Sequence, residues 1–267
     1  MSDKQLQSNK SDVQTCPGGA AEIEPRRKIE VLPGGAFLFK DVLDFNGSGA
    51  HIFVMCDAWL IEIIDLKAGE LSFMRGEECV RPTTKRFGAF YPPFAILKVC
   101  VRDTKGCVTG FAATETLPEK FMTAPMMFET DVTESPEDVQ QVKAILESSY
   151  HRQSIEMNPT PALLSLKVKK LIDENYLVQP SIAHIATRLG ITHEHLTRRF
   201  KRDFGLSPSA YCHQVRIADA TSRLAKGEEI INVSQDVGYN DLSRFYKQFR
   251  KATTKTPGYC QVLPKKA

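Results

Sequence analysis

Residues 182–208, IAHIATRLGITHEHLTRRFKRDFGLSP, and residues 230–257, IINVSQDVGYNDLSRFYKQFRKATTKTP, are two degenerate copies of one pattern. Ile182, Ile185, Ala186, Leu189 and Gly190 align with Ile230, Val233, Ser234, Val237 and Gly238 at an offset of 48. Leu196, Phe200 and Pro208 align with Phe245, Phe249 and Pro257 at an offset of 49, so the second turn carries one extra residue. Each copy reads as an apolar helix, a glycine, and a second helix with an apolar i, i+4 pair. The glycine ends the first helix in a left-handed conformation that a Cβ would penalise. Thr192 and Asn240 follow two residues later, where the second helix needs its N-cap. The pattern is that of a helix-turn-helix, and its repetition in register argues against a generic helical hairpin.

The outward faces of the second helices carry the chemistry. With Leu196, Phe200 and Phe204 buried, Glu194, Arg198 and Arg202 point away, flanked by His195, Thr197 and Lys201. With Phe245 and Phe249 buried, Ser243, Lys247, Arg250 and Lys251 face outward, flanked by Arg244 and Tyr246. Basic side chains recur at equivalent positions of both copies, whereas a merely solvated face mixes signs for i, i+4 pairing. A polyanion is therefore the expected partner, and double-stranded DNA the one that suits these side chains. Arg198 fits bidentate contact with a guanine edge, and Glu194 can accept from a cytosine amino group. Thr197, Ser243 and Tyr246 suit hydrogen-bonding or methyl contacts; Lys201, Arg202 and Arg250 suit phosphates. Arg244 and Lys247 complete the candidate set. Ser209 to Ala225 reads as one continuous helix, a spacer that would hold the two recognition helices about 34 Å apart, for successive major-groove segments.

At these residues the chain resembles the AraC/XylS family of transcription regulators. The resemblance is carried by Ile231-Asn232-Val233-Ser234-Gln235-Asp236-Val237-Gly238-Tyr239, then Asp241-Leu242-Ser243-Arg244-Phe245-Tyr246-Lys247-Gln248-Phe249-Arg250-Lys251 and Thr256-Pro257. Ile182 to Pro208 is similar to the family's first unit, and the match spans roughly residues 162–262. Thr254 departs from it, standing where glycine is usual and where the first copy has Gly205. The resemblance implies a regulator, commonly an activator contacting RNA polymerase and often half of a homodimer. It also implies a cupin-like jelly roll upstream that binds a small effector.

The rest of the sequence agrees in class. Up to residue 158 there are 17 Lys and Arg against 23 Asp and Glu, and 18 against 9 after it, so only the back half suits a polyanion. Residues 1–25 read as a flexible tail. Residues 26–158 form a β-rich domain ending in a helix, and residues 159–267 the DNA-binding domain, with Asn158-Pro159-Thr160-Pro161 as boundary. The fold class is thus α+β in two domains, cupin-like in front and all-α behind. Short apolar runs (Ala36–Phe39, Ile52–Met55, Trp59–Ile64, Phe94–Val101, Val108–Ala112) alternate with turn signals at Pro33-Gly34-Gly35, Asn46-Gly47, Lys67-Ala68-Gly69 and Lys105-Gly106. Ser135 caps a helix beginning at Pro136 and running to about Ile155, with Val139, Val142, Leu146 and Tyr150 on one stripe. It either dimerises or covers its own barrel.

Seven cysteines with irregular spacing and no C-x-x-C read as reduced thiols, with a redox pair at Cys100 and Cys107 as an outlying alternative. His51 stands alone in the strand region, so no metal or other cofactor is expected and an enzymatic cupin is disfavoured. Arg75, Arg81, Lys85 and Arg86 are either solvated surface or an anionic-effector site. Trp59, Phe73, Phe87, Phe90, Tyr91 and Phe94 either fill a core or line a pocket. The effector site stays unassigned, and control by a protein partner is the alternative. With no secretory signal and no apolar stretch long enough to span a bilayer, the expected location is cytoplasmic.

Overall fold

The computed structural model describes residues 28–32, 35–75, 78–155, 161–178, 181–253 and 255–261. The sequence-predicted tail, most of the interdomain boundary and Thr254 lie outside the described residues. The front region is one antiparallel sheet: β1 (Lys28–Val31), β2 (Phe37–Asp44), β3 (Ser48–Val54), β4 (Trp59–Arg75), β5 (Glu78–Val80), β6 (Arg86–Tyr91), β7 (Ile96–Ala113), β8 (Met126–Glu129) and β9 (Tyr150–Ser154). The strand order is β1-β2-β7-β4-β6-β8-β9, with β3 added to β7 and β5 to β4.

β4 and β7, 17 and 18 residues long, pair along most of their length and form the trunk. Both strands run through Lys67-Ala68-Gly69 and Lys105-Gly106, where the sequence pattern places turns. These stretches are instead bulges, with register shifts between Leu66 and Ala68 and between Ala68 and Glu70. Glycine is required at both: a Cβ on Gly69, where φ is 74°, would lie 2.2 Å from the Asp103 carbonyl oxygen, and one on Gly106 would lie 2.3 Å from that of Asp65. Bulges bend the strands, and Leu66, Leu71, Val101 and Val108 from both sides of the bend meet in one core with Phe39, Phe73 and Phe87. Asn46-Gly47 is a turn as expected, with Gly47 at φ 81°.

The opposite face of the sheet buries Trp59, Ile61, Phe90 and Phe111, with Phe121 from α1 (Glu119–Met122). It is closed by α2 (Val139–Ser148), whose Val142, Ile145 and Leu146 pack into that cluster. Of the two sequence readings for this helix, its apolar stripe takes the second, covering its own sheet. It also starts later than expected, because Asp138 rather than Ser135 caps it, accepting from the Gln141 amide. It ends sooner too. The Ser149 hydroxyl donates to the Leu146 carbonyl and the Arg152 guanidinium to that of Glu147, which satisfies the last turn, and Tyr150 begins β9.

The back region is helical: α3 (Leu163–Asn175), a 3-10 turn (Tyr176–Val178), α4 (Ile182–Arg188), α5 (His193–Phe204), α6 (Pro208–Ala225), α7 (Ile230–Asp236), α8 (Leu242–Thr253) and α9 (Pro257–Cys260). α6 starts one residue before the expected Ser209, with Ser207 as cap and Pro208 in its first turn. Its Tyr211, Cys212 and Val215 join a core with α3, α4 and α5, while its Ile217, Ala220 and Leu224 join a second core with α7, α8 and α9. The first core also takes in Val54 and Ile96 of the sheet. Among the described residues no helix is long and apolar enough to cross a membrane.

Candidate nucleic-acid interface

Both turns close as their glycines require. Gly190 has φ 67° and Gly238 φ 85°. In each, the amide after the glycine reaches back to a carbonyl five residues earlier, Ile191 to Ala186 at 3.1 Å and Tyr239 to Ser234 at 2.9 Å. Thr192 caps α5, its hydroxyl accepting from the His195 amide at 3.2 Å. The second cap is not Asn240, as expected, but Asp241, whose carboxylate accepts from the Ser243 amide at 2.8 Å. The extra residue of the second turn explains the shift: Asp241 stands 49 positions after Thr192, the offset that relates the second helices.

Leu196, Phe200 and Phe204 of α5 and Phe245 and Phe249 of α8 are buried. Of the ten sequence-predicted contact residues, Glu194, Arg198, Lys201 and Arg202 on α5 and Ser243, Arg244, Tyr246, Lys247 and Arg250 on α8 are exposed, and Thr197 is half-exposed. Lys251 is exposed as well. Among the described residues, Arg198, Lys201, Arg244, Lys247, Arg250 and Lys251 have no carboxylate within the 4.0 Å of an ion pair. Arg202 differs, with its Nε 3.6 Å from Asp203. His193, Glu194, Thr197, Arg198, Lys201 and Arg202 together line an open hollow on α5.

A family model for a helix-turn-helix domain matches residues 185–260, from within α4 through the second unit. The chain is 33% identical over 81 residues to the lactose operon transcription activator of Staphylococcus xylosus, covering 30% of this chain and 29% of that one. It is 28% identical over 87 residues to the transcriptional activator RhaS of Pectobacterium carotovorum, covering 32% and 31%. Through these residues the chain carries a helix-turn-helix domain similar to those of the two activators. Solved structures with a similar arrangement include the C-terminal domain of AraT, a response regulator from Geobacillus stearothermophilus (18% identity, TM-score 0.36, 40% of this chain and 93% of that one). ToxT from Vibrio cholerae spans more (13% identity, TM-score 0.49, 83% and 95%). The chain spans about three tenths of the length of the curated relatives it matches.

Two charged residues that organise this helix-turn-helix domain are not distinguished in the sequence, because each looks like a surface charge. Asp203 is buried on the inner side of α5, where its carboxylate accepts from the Ala162 amide at 3.0 Å and the Ser165 hydroxyl at 2.6 Å. It thereby caps α3, whose own N-cap residue offers no side-chain acceptor. Burial alone would raise its pKa; the bonds from Ser165, Ala162 and Arg199 outweigh that and hold it below the usual carboxylate value. Arg216, in the middle of α6, is 1% exposed. Its Nε donates to the Tyr176 carbonyl at 2.6 Å, Nη2 to that of Leu177 at 3.1 Å, and Nη1 to that of Gly238 at 3.5 Å. One guanidinium thus ties the end of α3 to the turn of the second unit. The sequence carries no local signal for it: at about 100° per residue Arg216 falls between Val215 and Ala220 on the side it shares with Asp219 and Arg223, which reads as a charged surface.

The front region offers less. His51 lies between the rings of Phe45 and Phe53, at 5.8 and 6.2 Å, and among the described residues no cluster of three His, Cys, Asp or Glu could hold a metal. Cys100 and Cys107 are seven residues apart on the extended β7, about 23 Å, too far for a disulfide, and burial raises the Cys100 thiol. Arg86 pairs with Asp65 at 2.8 Å, alongside Lys67. The six aromatics do not line one pocket. Trp59 and Phe90 pack under α2, Phe73, Phe87 and Tyr91 in the bent core, and Phe94 against the helical domain.

Proposed function

We propose that the protein is a sequence-specific transcription regulator, an activator, whose α5 and α8 enter successive major-groove segments of double-stranded DNA. The observation that carries this reading is the repetition of an exposed basic face on the second helix of both units, where Arg198, Lys201, Lys247, Arg250 and Lys251 have no carboxylate partner among the described residues and Arg202 alone of the face is paired, with Asp203. Arg198 and Glu194 read base edges, with Thr197, Ser243, Arg244, Tyr246 and Lys247 beside them, while Lys201, Arg202 and Arg250 hold phosphates. The N-terminal sheet, as a cupin-like effector domain, gates this activity in a cytoplasmic protein that acts on RNA polymerase and pairs with a second copy.

Duplexes selected by the full chain from a random pool test this. Selected DNA is expected to outcompete random DNA, with an affinity that falls steeply with salt. Arg198→Ala costs about 1–3 kcal/mol and relaxes base preference at one position, while Lys201→Ala weakens all sequences alike and lowers the salt slope by about one. Equal binding of random and selected duplexes refutes the reading. Thermal shifts of the full chain with metabolite pools separate a small-molecule effector from control by a protein partner.

A further inference from the structure

The turn between β6 and β7 carries an unusual residue. Phe94 has φ 57°, a left-handed conformation that a bulky side chain adopts only when its surroundings force it. The turn is braced from the segment that follows β3: the Phe94 amide donates to the Cys56 carbonyl at 2.8 Å, and the Met55 amide to that of Ala95 at 2.9 Å. The strained backbone sends the half-buried ring out of the sheet and into the helical domain. There it meets Tyr176 edge-on, with centroids 6.2 Å apart, and lies 5.8 Å from the Lys169 ammonium. Around it Val54 and Ile96 of the sheet pack with Val168 and Ile172 of α3.

Tyr176 is the residue whose carbonyl anchors Arg216, and its hydroxyl donates to Asp219 of α6 at 3.3 Å. From Arg216 the connection continues to the Gly238 carbonyl in the turn that orients α8. It passes with little slack, since a Cβ on Gly238 would lie 3.0 Å from the guanidinium. A single run of contacts therefore leads from a strained residue of the sheet, along the end of α3, to the turn of the second unit.

We propose that Tyr176 and Arg216 are positioning residues that set the angle between the two recognition helices, and that Phe94 is the wedge by which the N-terminal sheet controls that setting. The proposal rests on the DNA-binding reading above and adds a consequence to it: the sheet governs which spacing of two DNA segments the protein accepts. A displacement of the β6–β7 turn alters the seat of Tyr176, and Arg216 transmits the change to α8. Effector or partner binding in the sheet then acts by shifting an equilibrium between spacings.

The test uses full-length protein and duplexes selected by the wild type, in their original form, with one base pair (about 3.4 Å) inserted between the two protected segments, and with either segment alone. The wild type is expected to discriminate against the insertion. Phe94→Ala and Phe94→Gly reduce that discrimination about fivefold or more, while single-segment binding stays within about twofold. Phe94→Gly relieves the backbone strain, so agreement of the two variants assigns the effect to the ring. Arg216→Lys acts in the same direction, and the double variant Phe94→Ala/Arg216→Lys is no worse than the larger single one. Val42→Ala, an exposed position on β2, leaves the discrimination as it was. Unchanged discrimination in both Phe94 variants overturns the proposal and leaves the DNA-binding reading standing. So does an equal loss on paired and single segments. Failure of the wild type to select any sequence overturns both.

Discussion

The two helix-turn-helix units share a turn, a capping position and an outward basic face, yet they are fastened differently. The first is built into its neighbours: α5 caps α3 through Asp203, and its core includes Val54 and Ile96 of the sheet. The core of the second unit is drawn from α6 to α9 and, among the described residues, contains none from the sheet. It meets the front region elsewhere, where the Tyr259 hydroxyl donates to Asp41 at 3.0 Å. The same local motif can therefore be a fixed part in one copy and an adjustable one in the other, depending on what its inner face touches. Under the proposed function, adjustment of the geometry offered to DNA belongs to the second unit, and the first supplies the reference frame.

The largest expected effect comes from emptying the two cores in turn. Phe200 and Phe249 are both buried at equivalent positions, and replacing either with alanine costs about 3–5 kcal/mol. The consequences should separate by place. Hydrogen exchange of Phe200→Ala is expected to lose protection in α3 and also in β3 and β7, because its cluster spans both regions. Phe249→Ala loses protection in α7 and α8 and leaves the sheet unaffected. Identical exchange patterns for the two variants would erase the distinction drawn between the units.

The turn glycines give a smaller and more direct contrast. Both have positive φ, so alanine at either carries a conformational cost of about 1 kcal/mol or slightly more. At Gly190 a Cβ would meet nothing within 4 Å, and the cost ends there. At Gly238 it would meet the guanidinium of Arg216 at 3.0–3.2 Å, displacing a buried cation from its carbonyls. Gly238→Ala is expected to cost about 2–4 kcal/mol, measured as the shift in urea midpoint, with Gly190→Ala at about half of that or less.

That asymmetry also marks what was legible in the sequence. The two units could be read because their signals are local: a glycine, a cap and an apolar period within a few residues. Asn240 matches the cap only if the offset of the first helices is carried into the second, whereas Asp241 obeys the offset of the second helices. Gly69 and Gly106 misled because a glycine that permits close approach of two strands looks the same in sequence as one that makes a turn. Asp203, Arg216 and the wedge at Phe94 depend on partners 38 to 82 residues away (Asp203 with Ser165, Arg216 with Tyr176, Phe94 with Tyr176), and nothing local distinguishes them from ordinary surface charges or core aromatics.

The smallest effect concerns the side of α6 that faces Tyr176 and the sheet. Asp219 is held at a pKa of about 6, above the usual 3.8, by burial first and by the Asp57 carboxylate, from the bend between β3 and β4, second. Glu228 adds to the repulsion; Arg223 and the Tyr176 hydroxyl oppose it. Arg223 gives only partial relief, since its guanidinium already engages Glu228 and Asp236. The folded chain thus takes up a proton at Asp219 more readily than the unfolded one. Its contribution to stability is present in full below about pH 3.8 and is lost as the pH rises through about 6. Asp219→Asn keeps an acceptor for Tyr176 and removes the charge. The variant should be the more stable protein at pH 8 by about 1–2 kcal/mol, with the gap closing between pH 7 and 4. Asp57→Asn should narrow the same gap from the other side of the interface, because it removes the repelling charge and leaves the burial. A wild type whose stability relative to Asp219→Asn does not change with pH would mean that the sheet and α6 do not meet here as described, and the separate anchorage of the first unit would lose its electrostatic mark.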